Sequence, residues 1–97
     1  MTDLEFQESL KKIDNALSTP AKLEQTAEEC IELAHALLKK SRKLRGENWT
    51  PATLYELNYK ISEEYTDVMM CFKLLGLEID ELSKEAKTER WIQRLGL

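Results

Sequence analysis

Two long segments of this chain open and close with the same punctuation. Ser18-Thr19-Pro20 sets a capping hydroxyl ahead of a proline, Thr50-Pro51 repeats the device, and Gly46 and Gly76 stand where each segment should stop. A hydroxyl accepts from the orphan N–H groups of a first helical turn, and proline lacks an N–H that this turn leaves unpaired anyway. Glycine enters the left-handed conformation that ends a helix. The spacing predicts one helix from residues 18–20 to about Arg45 and another from Thr50-Pro51 to Gly76, joined by "GENWTP". Long helices with so short a connection fold back antiparallel.

In the first segment Leu23, Ala27, Ile31, Ala34, Leu38 and Leu44 recur at helical spacing and are expected to face inward. Leu54, Leu57, Ile61, Tyr65, Val68, Phe72 and Leu75 do the same in the second. A shorter amphipathic segment precedes them, from Thr2 to Leu17, with Leu4, Leu10, Ile13 and Leu17 in its stripe. Another follows, from Glu78 to Arg94, with a thinner pattern at Ile79, Leu82, Ala86 and Ile92 and an end expected to fray. The expected fold is all-α: an antiparallel four-helix bundle with two long central helices, one domain over residues 1–97. A chain this size buries only about two-thirds of its unfolded surface, so a partner subunit would help it.

An apolar share of 42% and a charged share of 33%, with 3 Gly and 2 Pro, fit a compact helical protein and exclude a disordered or collagen-like one. The net charge of -4 argues against a nucleic-acid polymer or an anionic membrane as partner, since both are bound by clustered Lys and Arg. "MTDLEFQESLKK" carries acids where a signal peptide needs bases and has no apolar run, so a cytoplasmic protein is expected. Cys30 and Cys71 fall on apolar helical stripes and read as buried free thiols.

Acids crowd two places on this frame. "EECIE" holds Glu28, Glu29 and Glu32, and "EEYTD" holds Glu63, Glu64 and Asp67 at the same spacing. On a helix Glu29 and Glu32 lie about 60° apart and roughly 4.5 Å apart along the axis, as do Glu64 and Asp67, so each pair can share one ion. In an antiparallel hairpin, residues equally far from the turn stand level, and positions 29, 32, 64 and 67 average to 48, inside "GENWTP". Packed helices lie about 8–10 Å apart, so the four carboxylates can converge on a hard, oxygen-seeking cation such as Mg²⁺.

Solvated glutamates on a helix surface are the commoner case, steadied by Lys or Arg four residues on, as Glu8 with Lys12 and Glu56 with Lys60 would be. The crowded acids lack such partners. Leu33, Ala36 and Val68 follow Glu29, Glu32 and Glu64 by four, while Glu28 with Glu32 and Glu63 with Asp67 are like-charge pairs. Each such pair costs a few tenths of a kcal/mol, which a merely solvated face would avoid.

The pattern Glu28-Glu29-x-x-Glu32 followed by Glu64-x-x-Asp67 resembles the EExxE…ExxD signature of the MazG-like all-α nucleoside triphosphate pyrophosphohydrolases, a group that includes dimeric dUTPases and dCTPases. The resemblance covers residues from about 20 to 76, and extends less specifically to "LKKSRKLRGENWTP" and "KTERWIQRLG". The two halves are further apart here than is usual in that family, but the added length is symmetric about the turn and keeps the acids level. The resemblance implies Mg²⁺-dependent cleavage of a nucleoside triphosphate between its α and β phosphates, with Mn²⁺ a possible substitute metal. It implies Glu29, Glu32, Glu64 and Asp67 as ligands, and Glu28 and Glu63 as candidates for a further ion or for holding the attacking water. A homodimer or homotetramer is implied as well. Lys39, Lys43, Lys84, Lys87 and Arg90 are candidates for the phosphates, and Asn48 and Trp49, in the turn, for the base.

Two other classes compete. Glu32 and His35 spell the Glu-x-x-His spacing of di-iron bundles, although such sites draw single glutamates from partnering helices rather than pairs of acids. A non-catalytic helical interaction module would use the acids as a surface for a basic partner.

Overall fold

The computed structural model describes residues 1–46 and 49–97. These contain four helices and no strand: α1 (Asp3–Ala16), α2 (Thr19–Arg45), α3 (Leu54–Leu75) and α4 (Glu81–Leu95). The all-α expectation holds. Ser18 caps α2, its Oγ accepting from the Ala21 N–H at 3.2 Å, with Pro20 in the first turn. Gly46 closes the helix at a φ of 69°, a conformation that costs a residue with a Cβ.

α3 starts later than Pro51. Thr53 and Glu56 form a capping box: Thr53 Oγ1 accepts from the Glu56 N–H at 3.1 Å, and the Glu56 carboxylate accepts from the Thr53 N–H at 3.5 Å. Two orphan donors are satisfied there at once, which a start at Pro51 would not achieve. Glu56 is thereby used at the cap instead of pairing with Lys60, whose ammonium turns to Glu64. α4 likewise begins at Glu81 rather than Glu78. It runs to Leu95 without fraying, because the Leu97 N–H returns to the Ile92 carbonyl across Gly96.

α2 and α3 form a hairpin packed along its length. The covered residues of α2 include Thr26, Glu29, Leu33, Ala36, Lys40 and Lys43, and those of α3 include Leu57, Ile61, Glu64, Val68, Cys71 and Leu75. Steps of three and four alternate in both, which is the seam of a coiled coil. The Thr26 hydroxyl meets the Cys71 thiol. Counting antiparallel from that pair, Glu29 stands level with Val68, Leu33 with Glu64, and Ala36 with Ile61.

This seam is not the leucine stripe expected of α2. Leu23, Ile31 and Leu38 are 54%, 55% and 51% exposed, and Ala27, Ala34 and Leu44 are exposed too. The face toward α3 carries threonine, glutamate and two lysines, so hydrophobicity peaks on a different side of the helix. On α3 Leu54 and Tyr65 also lie outside the seam, and Cys30, expected to be buried, is exposed.

α1 crosses the end of the hairpin remote from the turn. Leu10 is buried there, the Lys73 ammonium stands 5.3 Å from the Phe6 ring centroid, and Asp14 pairs with Lys22. α4 buries no residue and shows Leu82, Trp91 and Leu95 to solvent. The radius of gyration is 17.3 Å, against about 13 Å for a compact chain of this length. Among the described residues no helix is long and apolar enough to cross a membrane.

Candidate metal centre

The α2–α3 seam brings two carboxylates inward at consecutive levels. Glu64 occupies a core position of α3 and is 5% exposed, while Glu29 is half-buried on α2. The sequence expectation placed the acids beside the core, whereas Glu64 lies within it. Asp67 follows Glu64 by three residues and adds an exposed carboxylate to the same place. One oxygen of each of Glu29, Glu64 and Asp67 lies within 4.8 Å of the other two. Oxygens this close could be drawn onto one hard divalent ion by side-chain rotation.

Each buried carboxylate has one oxygen tied and one left over. Gln25 Nε2 donates to Glu29 Oε1 at 2.8 Å, and Lys60 Nζ lies 2.8 Å from Glu64 Oε1. Glu29 Oε2 and Glu64 Oε2 are buried without a hydrogen-bond donor. A buried acceptor left unmet costs the protein its full desolvation, so such atoms are rare unless something else meets them. Tying the outer oxygen while the inner one stays free is how surrounding residues orient ligands around a metal.

Glu32 is exposed and lies outside the three-oxygen group, but it leans on that group. Hydrogen bonding with Glu64 first, then the negative charges of Glu29 and Glu64, hold its carboxyl above the usual glutamate range. Glu64 is shifted the opposite way: the Lys60 ammonium keeps it below the usual range, against the effect of burial. The ionised carboxylates only accept, so Glu32 cannot supply Glu64 Oε2 with a donor unless it takes up a proton.

The remaining sequence candidates fall in several places. Glu28 and Glu63 are exposed and do not enter the converging group, although Glu63 acts electrostatically on Lys60. Lys39 lines a cleft of about 250 Å³ with Glu32, His35, Ala36, Lys60 and Glu64. Toward the turn Lys39 and Lys60 also line a cavity of about 490 Å³, together with Arg42 and Trp49. Trp49 is 88% exposed and so does not seal the core. Lys43 donates to the Thr50 carbonyl at 3.0 Å, which ties α2 to the residues just before α3. Lys84 pairs with Glu81 on its own helix, and Lys84 and Lys87 line a recess made of α4 residues. Arg90 is exposed on that helix, and Asn48 lies outside the described residues. His35 lines the acid cleft but is not in the converging group.

Two residues of the site escaped the sequence reading. Gln25 sits four before Glu29, a spacing that allows a side-chain hydrogen bond along one helix face. Lys60 sits four before Glu64, but Glu56 is equally spaced on its other side, and only the capping box decides between them. Comparison with known proteins leaves the site to its geometry: no family model, no curated protein and no solved structure matches the chain.

Proposed function

We propose that the chain is a Mg²⁺-dependent nucleoside triphosphate pyrophosphohydrolase of MazG-like type. The observation that carries this reading is the pair of buried, donorless oxygens on Glu29 and Glu64 beside the Asp67 carboxylate. Three converging acids, two of which carry an orphan oxygen, suit a hard divalent ion that would let polyphosphate approach them. Glu29, Glu64 and Asp67 would hold it, and Glu32, which leans on them, would add a fourth carboxylate. When bound, such an ion supplies Lewis-acid polarisation of the α-phosphoryl group and offsets the charge of the departing pyrophosphate. Glu28 and Glu63, on the outer edge, are suited to orient a water or a further ion. Lys39 lies at the cleft mouth where phosphates would enter, and Trp49 offers a face for a base.

The test is a panel of standard and modified nucleoside triphosphates incubated with Mg²⁺, scoring pyrophosphate and orthophosphate separately. Pyrophosphate with the matching monophosphate is expected for at least one member of the panel. Orthophosphate release would mean a different bond is cut, and no release from any member would leave the interaction-module reading in its place. That second reading is favoured by the apolar faces that α2 and α4 leave open.

The homo-oligomer belongs to the same proposal. The chain exposes 8094 Å², whereas a compact monomer of this mass exposes about 5,700 Å². The difference, about 2,400 Å², is on the scale that an obligate dimer covers on each partner. Leu23, Ile31 and Leu38 on α2 form an uncovered apolar row suited to a second copy, which would complete the bundle and could bring its own α4 cations toward the acids. Light scattering at micromolar concentration is expected to return a dimer or tetramer mass, with Ile31→Glu shifting it to monomer. A monomer in the unaltered chain would refute this part.

A further inference from the structure

We propose that Lys60 is a displaceable counter-ion: its ammonium holds Glu64 while the site is metal-free, then turns into the adjoining cavity to bind phosphate when a divalent ion takes that carboxylate. The inference rests on the metal-site reading above and adds a phosphate-binding residue to it.

The ion pair is lopsided. The Glu64 side chain is 6% exposed and fixed in the α2–α3 seam, whereas the Lys60 side chain is 60% exposed on four rotatable carbons. Only the lysine can leave. The lysine end of the pair stands in water and is screened there, so a divalent ion with twice the charge can compete with it for the buried carboxylate.

The place it would turn to lies next door. Lys60 lines both the acid cleft and the 490 Å³ cavity toward the turn, and Lys39 does so from the opposite helix. The move needs side-chain rotation and no shift of the backbone. Arg42 and Trp49 line the cavity too, so it presents three cationic side chains and one large aromatic against a single acid, Glu56, whose carboxylate is tied to Thr53 at the helix cap. That lining suits a polyphosphate carrying a base, with the cations on the phosphates and the indole against the ring. Holding Glu64 and then the substrate would let one lysine limit repulsion in the empty site without blocking the loaded one.

A lysine that only neutralises Glu64 predicts something different, and two binding measurements separate the two roles. The full-length chain, Lys60→Met and Lys60→Arg are titrated calorimetrically, first with Mn²⁺ alone and then with the Mn²⁺ complex of inorganic triphosphate. Lys60→Met is expected to bind Mn²⁺ about threefold tighter, because a competing cation worth a fraction of a kcal/mol has gone. It is expected to bind the triphosphate complex about tenfold more weakly, through loss of a charge-assisted contact, with Lys60→Arg recovering most of that loss. Opposite shifts in the two titrations support the proposal. Unchanged or weaker Mn²⁺ binding, or unchanged triphosphate binding, in a Lys60→Met protein whose melting curve shows it folded overturns it, and Lys60→Gln provides the same comparison if Lys60→Met does not fold. Absence of Mn²⁺ uptake by the unaltered chain overturns the metal site and this role together, whereas normal uptake with no response to Lys60 substitution overturns this role alone.

Discussion

Glu64→Gln and Asp67→Asn should each lower kcat/KM for pyrophosphate release by about a thousandfold while leaving the helical circular dichroism in place. Each change keeps the volume and removes the charge. Glu64 provides a buried oxygen that accepts from no donor, and an Asp67 oxygen lies within 4.8 Å of one of the Glu64 oxygens from the next turn of α3. Loss of one anionic ligand forfeits several kcal/mol of transition-state charge stabilisation, and about 4 kcal/mol corresponds to three powers of ten. The fold survives because Leu57, Val68 and Cys71 still fill the seam on either side. The comparison is steady-state pyrophosphate release at saturating Mg²⁺, with circular dichroism on the same samples. Full activity in both variants would remove these residues from the site.

Glu32→Gln should do two things that ordinarily oppose each other: raise the melting temperature of the metal-free protein, and weaken the stabilisation that Mg²⁺ would confer. Glu64 and Glu29 hold the Glu32 carboxyl above its ordinary value. A carboxyl raised on folding favours the folded state only while protonated. Its contribution is whole below the unfolded glutamate value and is lost as pH rises through the folded one. At neutral pH the ionised Glu32 is therefore a burden, and a neutral amide of the same shape removes it. The difference between variant and parent should close as the medium is acidified and Glu32 takes up its proton. Bound Mg²⁺ would relieve the same repulsion in the parent and raise its melting point by mass action, which the variant should show less. Thermal melts with and without Mg²⁺ at neutral and mildly acidic pH check both halves.

Punctuation was the most legible part of the chain. Ser18, Pro20 and Gly46 bound α2 where a local hydrogen-bond argument puts them, because caps are decided within one turn of helix. Thr53 displaced Thr50 as the cap of α3 since only Thr53 has a glutamate three residues on to complete the box. The inward face of α2 was misread for a reason tied to the site. A seam that must lodge Glu29 against Glu64 gives up apolar residues there, so the leucines collect on a face that α3 does not cover. Levelling the acids about the turn needed only helix geometry, and Glu29, Glu64 and Asp67 do meet. That Glu32 stays outside while Lys60 comes in depends on which way long side chains turn, and spacing alone does not contain that choice.

The central claim is that folding gathers negative oxygens from α2 and α3 into a place that a divalent cation occupies. Electron paramagnetic resonance of free Mn²⁺, titrated into the full-length chain with and without nucleoside triphosphate, tests it most directly. Saturable loss of the free-ion signal, reversed by excess Mg²⁺ and weakened at least about tenfold in Asp67→Asn, is the predicted result. A signal that follows the added Mn²⁺ one for one, whether or not nucleotide is present, would contradict it.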